Sequence, residues 1–426
     1  ALWFNSIAAG PIVNRSQAPS LINQTNSDDR PPGLQVQPGR TLALIGGNVL
    51  LESGNLTAAG GRIELGSVAR VGEVSLSQSG NNFVLGYDSI NNFGNISLSN
   101  GAFVDASGEG GGDVQIRGGR FSMTQRSNIR ANTLGAQNGG EVLVRTTEVV
   151  LSEGSFLTAD VLGTGTGGDL TIDTRRLLVR DGAQVSANTS GEGKGGSLQV
   201  MASDSIEVIG RSADGQFGSN LFAITRGSGD AGNLRIETGR LLVRDGAQVG
   251  TGTLSEGKGG SLQVRAFESV ELIGGSADGQ YPSALFTGSQ GNFNPNTPGN
   301  PQIPNGGDAG DLILDTTRFI VRDGAQVISG TRTSGKGGML RITASESVEL
   351  IGTTSDGLFP SGLFSANRGF DNLGNPTISN GGDADKIIID TGRLIVRDGA
   401  VVSASTQTSG QGGILQITAS DSIELS

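Results

Sequence analysis

The sequence contains no cysteine and no histidine. Without cysteine there are no disulfides, thiolate nucleophiles or sulfur-ligated metal sites. Without histidine there are no Ser-His-Asp triads, no His-zinc sites and no histidine axial ligation of haem. Aromatics are scarce at 4 %, and the only lysines are Lys194, Lys258, Lys336 and Lys386. No apolar run approaches the ~20 residues of a membrane helix, so no transmembrane segment is expected. The net charge is −11, from 41 acidic and 30 basic residues. That balance disfavours nucleic acid and anionic membrane surfaces as partners. What the chain has instead is glycine, 72 of 426 residues, against an average near ~7 %. There is no Gly-X-Y period, so this is not collagen, and the apolar residues are too regularly spaced for simple disorder.

The regularity is a repeat. RLLVRDGAQV at Arg176 to Val185 recurs unchanged at Arg240 to Val249. It returns as RFIVRDGAQV at Arg318 to Val327 and as RLIVRDGAVV at Arg393 to Val402. A second block follows each copy: SDSIEVI at Ser203, FESVELI at Phe267, SESVELI at Ser345 and SDSIELS at Ser420. Arg180, Arg244, Arg322 and Arg397 are 64, 78 and 75 residues apart. Only one stretch per repeat changes length: Phe222 to Gly232 is 10 residues, Phe286 to Gly310 is 24, and Phe364 to Asp385 is 21. A degenerate copy, RFSMTQRSNIRANT, lies upstream at Arg120, with Gln125 and Arg126 in place of Asp-Gly. The N-terminus has no signal-peptide pattern and the last repeat stops inside its second block, so both ends are expected to be truncations.

Between glycines, apolar residues alternate in twos: Leu170 and Ile172, Leu198 and Val200, Ile206 and Val208. That is strand periodicity with one buried face, and glycine is too dense for helices. Strands of about 4–6 residues cannot close a core alone but can stack coil on coil. The expected fold is all-β, a right-handed parallel β-helix, since crossovers between parallel strands are right-handed almost without exception. Each 64-residue repeat fits two coils, and roughly fifteen coils at ~4.8 Å would make a rod about 70 Å long. The expected organisation is an irregular segment over 1–32, a first β-helical region over 33–112, and the repeat β-helix over 113–426. Its variable loops fall at 223–231, 287–309 and 365–384.

The Asp-Gly pairs, Asp181 and Gly182, Asp245 and Gly246, Asp323 and Gly324, Asp398 and Gly399, read as structural turns. Aspartate would bond its own backbone and glycine would supply a left-handed corner. Gly246→Val is then expected to destabilise by more than ~1 kcal/mol. A row of such carboxylates could instead bind Ca²⁺ or cleave polysaccharide, but neither the EF-hand spacing nor the GGxGxD array is present. Glu207, Glu271, Glu349 and Glu424 should point outward, two coils or about 10 Å apart, slightly beyond the usual glycosidase range. The variable loops carry more functional promise. They are rich in Asn, Pro and Gly, and insertions on a solenoid collect on one side and often bind. Phe293, Asn294, Phe370 and Asn372 are the candidate ligand-binding residues. No catalytic, metal-binding or cofactor-binding residue is assigned, and no cofactor is expected.

Several blocks resemble a known family. GLQVQPGRTLALIGGNVLLESGNLTAAGGRIELGSV at Gly33 to Val68 resembles the last coils of the secretion domain of filamentous-haemagglutinin-type exoproteins. DASGEGGGDVQIRGGR at Asp105 to Arg120, SANTSGEGKGGSLQV and the SADGQ…PSALF block resemble the repeats that follow in large cyanobacterial members. The resemblance covers nearly all of 33–426. It implies a two-partner secretion substrate, carried across the outer membrane by a dedicated β-barrel transporter. The location implied is extracellular or on the outer surface of a Gram-negative-type cell. Many such proteins are adhesins, which implies surface or matrix glycans or proteins as further partners. The family's Asn-Pro-Asn-Gly-type motif is absent, and Asn294 to Asn296 lies in a variable loop, so this segment is not expected to be secreted by itself. The family is sometimes labelled for haem utilisation, but Tyr87, Tyr281, Met123, Met201 and Met339 form no recognisable ligand pair. The leading reading is a rigid adhesive rod, not an enzyme. A polysaccharide-degrading β-helix and a pure spacer are the alternatives.

Overall fold

A computed structural model describes residues 1–5, 9–18, 33–80, 82–289, 306–365, 381–406 and 409–426. These residues contain strands and no helix. The chain winds as a parallel β-helix with three faces. In the repeats, a single strand such as Leu170–Arg180 supplies two faces, bending where the pairing register shifts between Thr174 and Arg176. A short strand such as Gln184–Ser186 supplies the third. The third face holds twelve strands stacked in parallel, a length of about 55 Å at ~4.8 Å per coil. That is fewer coils than expected, because hairpins and insertions draw residues out of the winding.

Alternation decides what is inside. Leu170, Leu198, Leu234, Leu262, Leu312 and Leu340 stand in one column, each fully buried. Val185, Leu221, Val249, Leu285, Val327 and Leu363 form the matching column of the third face. Full burial of such a side chain contributes about 1.5–3 kcal/mol, and every coil repeats it. No coil is stable alone; each buries its neighbour's interior.

Glycine has two separate uses. At the corners it supplies a left-handed backbone, with φ of +78° at Gly182 and +81° at Gly246. On the far side of each coil it permits contact. Gly140, Gly168, Gly196, Gly232 and Gly260 stand one above another, and a Cβ on any of the last four would run into the carbonyl of the glycine before it. These positions have no left-handed φ. Beside them an asparagine and aspartate ladder joins the coils: Asn233 Oδ1 accepts the Ser261 N–H at 2.9 Å, and Asp230 Oδ1 accepts the Lys258 N–H at 2.9 Å.

The first coils depart from this plan. Leu2–Phe4 pairs antiparallel with Gly72–Ser79, which pairs antiparallel with Asn82–Gly86. This small sheet is separate from the parallel stack, and its last two strands lie on a chain excursion between Arg62–Ser67 and Asn95–Ser99. Ile12–Asn14 joins the parallel stack, so part of the 1–32 segment is regular.

Candidate functional site

The four Asp-Gly pairs sit at equivalent corners. Asp181, Asp245, Asp323 and Asp398 have φ of 53°, 59°, 58° and 57°, and the glycines that follow are left-handed too. Both residues of the corner are therefore left-handed, which aspartate tolerates better than most side chains. The carboxylates lie against the preceding arginines, at 3.5, 2.8, 3.2 and 3.7 Å, and not against their own backbone. The N–H of Gly182 donates to Ser219 Oγ at 3.0 Å, and the same bond joins Gly246 to Ser283. A Cβ at Gly182 would also strike Ser212. The corner is thus fastened to the next coil. Gln125 and Arg126 keep the same geometry, at φ of 55° and 58°, without any glycine.

Every second coil replaces the tight corner with a hairpin. Its neck closes at Arg211 with Gly218, Gly275 with Pro282, and Thr353 with Pro360. The SADGQ motif builds its tip. Ser212 Oγ donates to Asp214 Oδ1 at 2.5 Å, and that oxygen also accepts the Gln216 N–H at 3.1 Å. Ser276 with Asp278, and Thr354 with Asp356, repeat the arrangement. The hydroxyl bond, more than any other cause, lowers the pKa of all three aspartates. This accounts for the motif without a cation. Among the described residues no group of three or more acidic side chains is placed to hold a metal ion.

The hairpins form a ridge. The Arg211 guanidinium lies 3.8 Å from the centre of the Tyr281 ring on the next hairpin. The first hairpin leans back over coils that have none. Its Phe217 meets Phe156 edge to face, with ring centres 6.2 Å apart. Beneath this overhang is an open cleft of about 1090 Å³, lined by Arg126, Asn128, Asn132, Phe156, Asp160 and Phe217 among others. Burial raises the pKa of Asp160, while the Asn188 N–H at 2.7 Å and the Ser186 hydroxyl at 2.9 Å hold it down. Asp160 is a rung of a second ladder: Asn132 Oδ1 accepts the Asp160 N–H, and Asn188 Oδ1 accepts that of Ile224. Its first role is structural. The cleft offers aromatic edges, guanidinium and amide groups side by side, a surface suited to hydroxyl-rich ligands. Nothing in the sequence marked it, because it exists only where hairpin-free coils meet the first hairpin.

Phe293, Asn294, Phe370 and Asn372 lie outside the described residues. The outward glutamates of the repeats do not meet one another. Glu207 pairs in register with Leu178 and Leu242, Glu271 with Leu242 and Ile320, and Glu349 with Ile320 and Ile395. An aliphatic residue therefore separates each pair of carboxylates along this row.

A second charged cluster lies in the first coils. Glu64 faces outward but is fully covered, and Arg62 Nε donates to it at 2.5 Å. Arg62 also meets Asp113 at 3.1 Å and Gln115 at 2.8 Å. Burial pushes the Glu64 carboxyl up to about 7, outweighing the pull of Arg62. Tyr87 packs on Gly66 beside it. Neither Glu64 Oε2 nor the Tyr87 hydroxyl has a hydrogen-bond partner among the described residues.

Residues 9–116 match the family model of the TPS secretion domain. This is the N-terminal domain of two-partner secretion exoproteins such as filamentous haemagglutinin. No curated protein and no solved structure matches the chain.

Proposed function

From the TPS secretion domain at residues 9–116, which indicates a secreted exoprotein with an outer-membrane transporter as partner, we propose that the repeat region is an adhesive rod. It stands at the outer surface of a Gram-negative-type cell and presents loops to glycans or proteins of another surface. The observation that carries this reading is the hairpin ridge with its cleft of about 1090 Å³, held in register on a stack of coils. A solenoid fixes the spacing of such loops with no hinge between them. The variable loops add length-tolerant contact surface, with Phe293, Asn294, Phe370 and Asn372 as proposed contacts. No reaction is proposed.

The test is the whole chain applied to immobilised glycans, matrix proteins and whole cells, with reducing-end release assayed in the same wells. Saturable binding without release is the expected result, weakened by Phe217→Ala. Release of sugar would replace the adhesive reading with a polysaccharide-degrading one. Neither signal would leave the rod a spacer.

A further inference from the structure

The second face of the repeat region carries a charge pattern with a period of two coils. One outward row runs Leu178, Glu207, Leu242, Glu271, Ile320, Glu349, Ile395, Glu424, one residue per coil. On one side of it runs Arg176, Ser205, Arg240, Ser269, Arg318, Ser347, Arg393, Ser422. On the other side runs Arg180, Ile209, Arg244, Ile273, Arg322, Ile351, Arg397. Odd coils therefore present Arg-Leu-Arg or Arg-Ile-Arg, and even coils present a glutamate and an isoleucine beside a serine that is buried at Ser269 and Ser347.

Glu207, Glu271 and Glu349 form no ion pair among the described residues; the latter two accept only their own strand's serine hydroxyls. The neighbouring arginines are turned elsewhere, Arg244 to Asp245 and Arg240 to Glu268. Those pairs are exposed, and such pairs contribute little where they stand. The aliphatic residues of the pattern, Leu178, Ile209, Leu242, Ile273, Ile320, Ile351 and Ile395, are all left half-buried.

We propose that this face docks on the same face of a second copy, with the two rods antiparallel. A two-fold axis lying along the strands and passing between coils sets every odd coil against an even one. Each glutamate then lies opposite an aliphatic residue and between two arginines of the partner, and each Arg-Leu-Arg receives a glutamate. A two-fold axis along the rods would set arginine on arginine and glutamate on glutamate, so the parallel order is disfavoured. Isologous contacts of this kind are the usual route to a dimer. Eight coils at ~4.8 Å by five residues at ~3.3 Å cover roughly 600 Å² per copy, which reaches the roughly 1,000 Å² total of a specific interface. With all eight coils overlapped, Leu242 of one copy faces Glu349 of the other.

Sedimentation equilibrium on the whole chain, up to about 100 μM, tests this. The expected result is a monomer–dimer equilibrium whose Kd rises about tenfold or more with added salt. Replacing Glu207, Glu271 and Glu349 together by Arg weakens the dimer by a similar factor. So does replacing Arg240, Arg244, Arg318 and Arg322 together by Glu. Mixing the two variants restores a dimer, which shows that both fold. Because the chain has no cysteine, mild oxidation can report the order of the rods. The double variant Leu242→Cys, Glu349→Cys cross-links between copies, and Leu242→Cys alone does not. A monomer at every concentration, a dimer indifferent to charge reversal, no rescue on mixing, cross-linking by Leu242→Cys alone, or its failure in the double variant would each overturn the proposal.

Discussion

The first coils and the repeat region solve one problem in opposite ways. Both wind parallel strands around an aliphatic interior, and both must let chain leave the winding. Over 40–117 the chain leaves once, between the first and second faces, and lays an antiparallel sheet over its own charged side chains. Arg62 and Glu64 become enclosed and Glu64 is held partly protonated near neutral pH. Over 170–425 the chain leaves at every second coil, beyond the second face, in hairpins that rest on one another. There the charges stay outside, at a two-coil period. One excursion buries charge and makes a singular, titratable place; repeated excursions make a lattice of individually weak contacts.

The largest expected effect bears on what the two regions share. Gly196 stands between Gly168 and Gly232 with no room for a side chain on the carbonyl beneath it. Gly196→Val should destabilise by about 3 kcal/mol or more, since the backbone at Gly167 and Gly168 on the preceding coil must shift. The midpoint of denaturant unfolding by far-UV circular dichroism measures it. An unchanged midpoint would mean that the coils are not stacked as closely as described. The left-handed corners at Gly182, Gly246, Gly324 and Gly399 are legible in the sequence because the spacing of the Asp-Gly pairs is fixed against the flanking strands. The columns were not legible. Close approach between glycines 28 or more residues apart leaves no local mark, and Gly-Gly reads as a turn in any fold. The excursion over 68–94 was hidden for a similar reason: GEVSLSQS alternates like every other strand, and nothing in it says that its partner is antiparallel. The cleft depends on which coil first carries a hairpin, a property of neighbours and not of a motif.

The next effect separates the regions. The Glu64 carboxyl has its pKa raised from 4.5 to about 7 on folding, with burial as the main cause. The native state therefore binds this proton more tightly than the unfolded chain does. The resulting stabilisation is complete below pH 4.5 and is lost as the pH rises through about 7, at most about 3 kcal/mol in all. The loss should be confined to the first coils. Trp3, the only tryptophan, pairs with Glu73 on the covering sheet and reports on that sheet by fluorescence. Its unfolding midpoint should fall between pH 4.5 and about 7, and Glu64→Gln should remove that slope. A slope that survives in Glu64→Gln would place the titration elsewhere.

The smallest effect tests the corner shared by the degenerate copy and the later repeats. Gly246 has φ of +81° and Arg126 has φ of +58° at the same place in the winding. A left-handed conformation costs a residue with a side chain about 1–2 kcal/mol, and glycine loses about 0.5–1 kcal/mol of that advantage through chain entropy. Arg126→Gly should therefore stabilise by about 0.5 kcal/mol, whereas Gly246→Val should cost more than about 1 kcal/mol. The opposite signs matter more than the sizes, because they would show that the corner's geometry persists where its glycine does not. Thermal unfolding of both variants beside the parent chain decides it. If Arg126→Gly were destabilising instead, the arginine's contacts at the cleft would outweigh its backbone strain, and that departure from the repeat would belong to the cleft and not to a decayed turn.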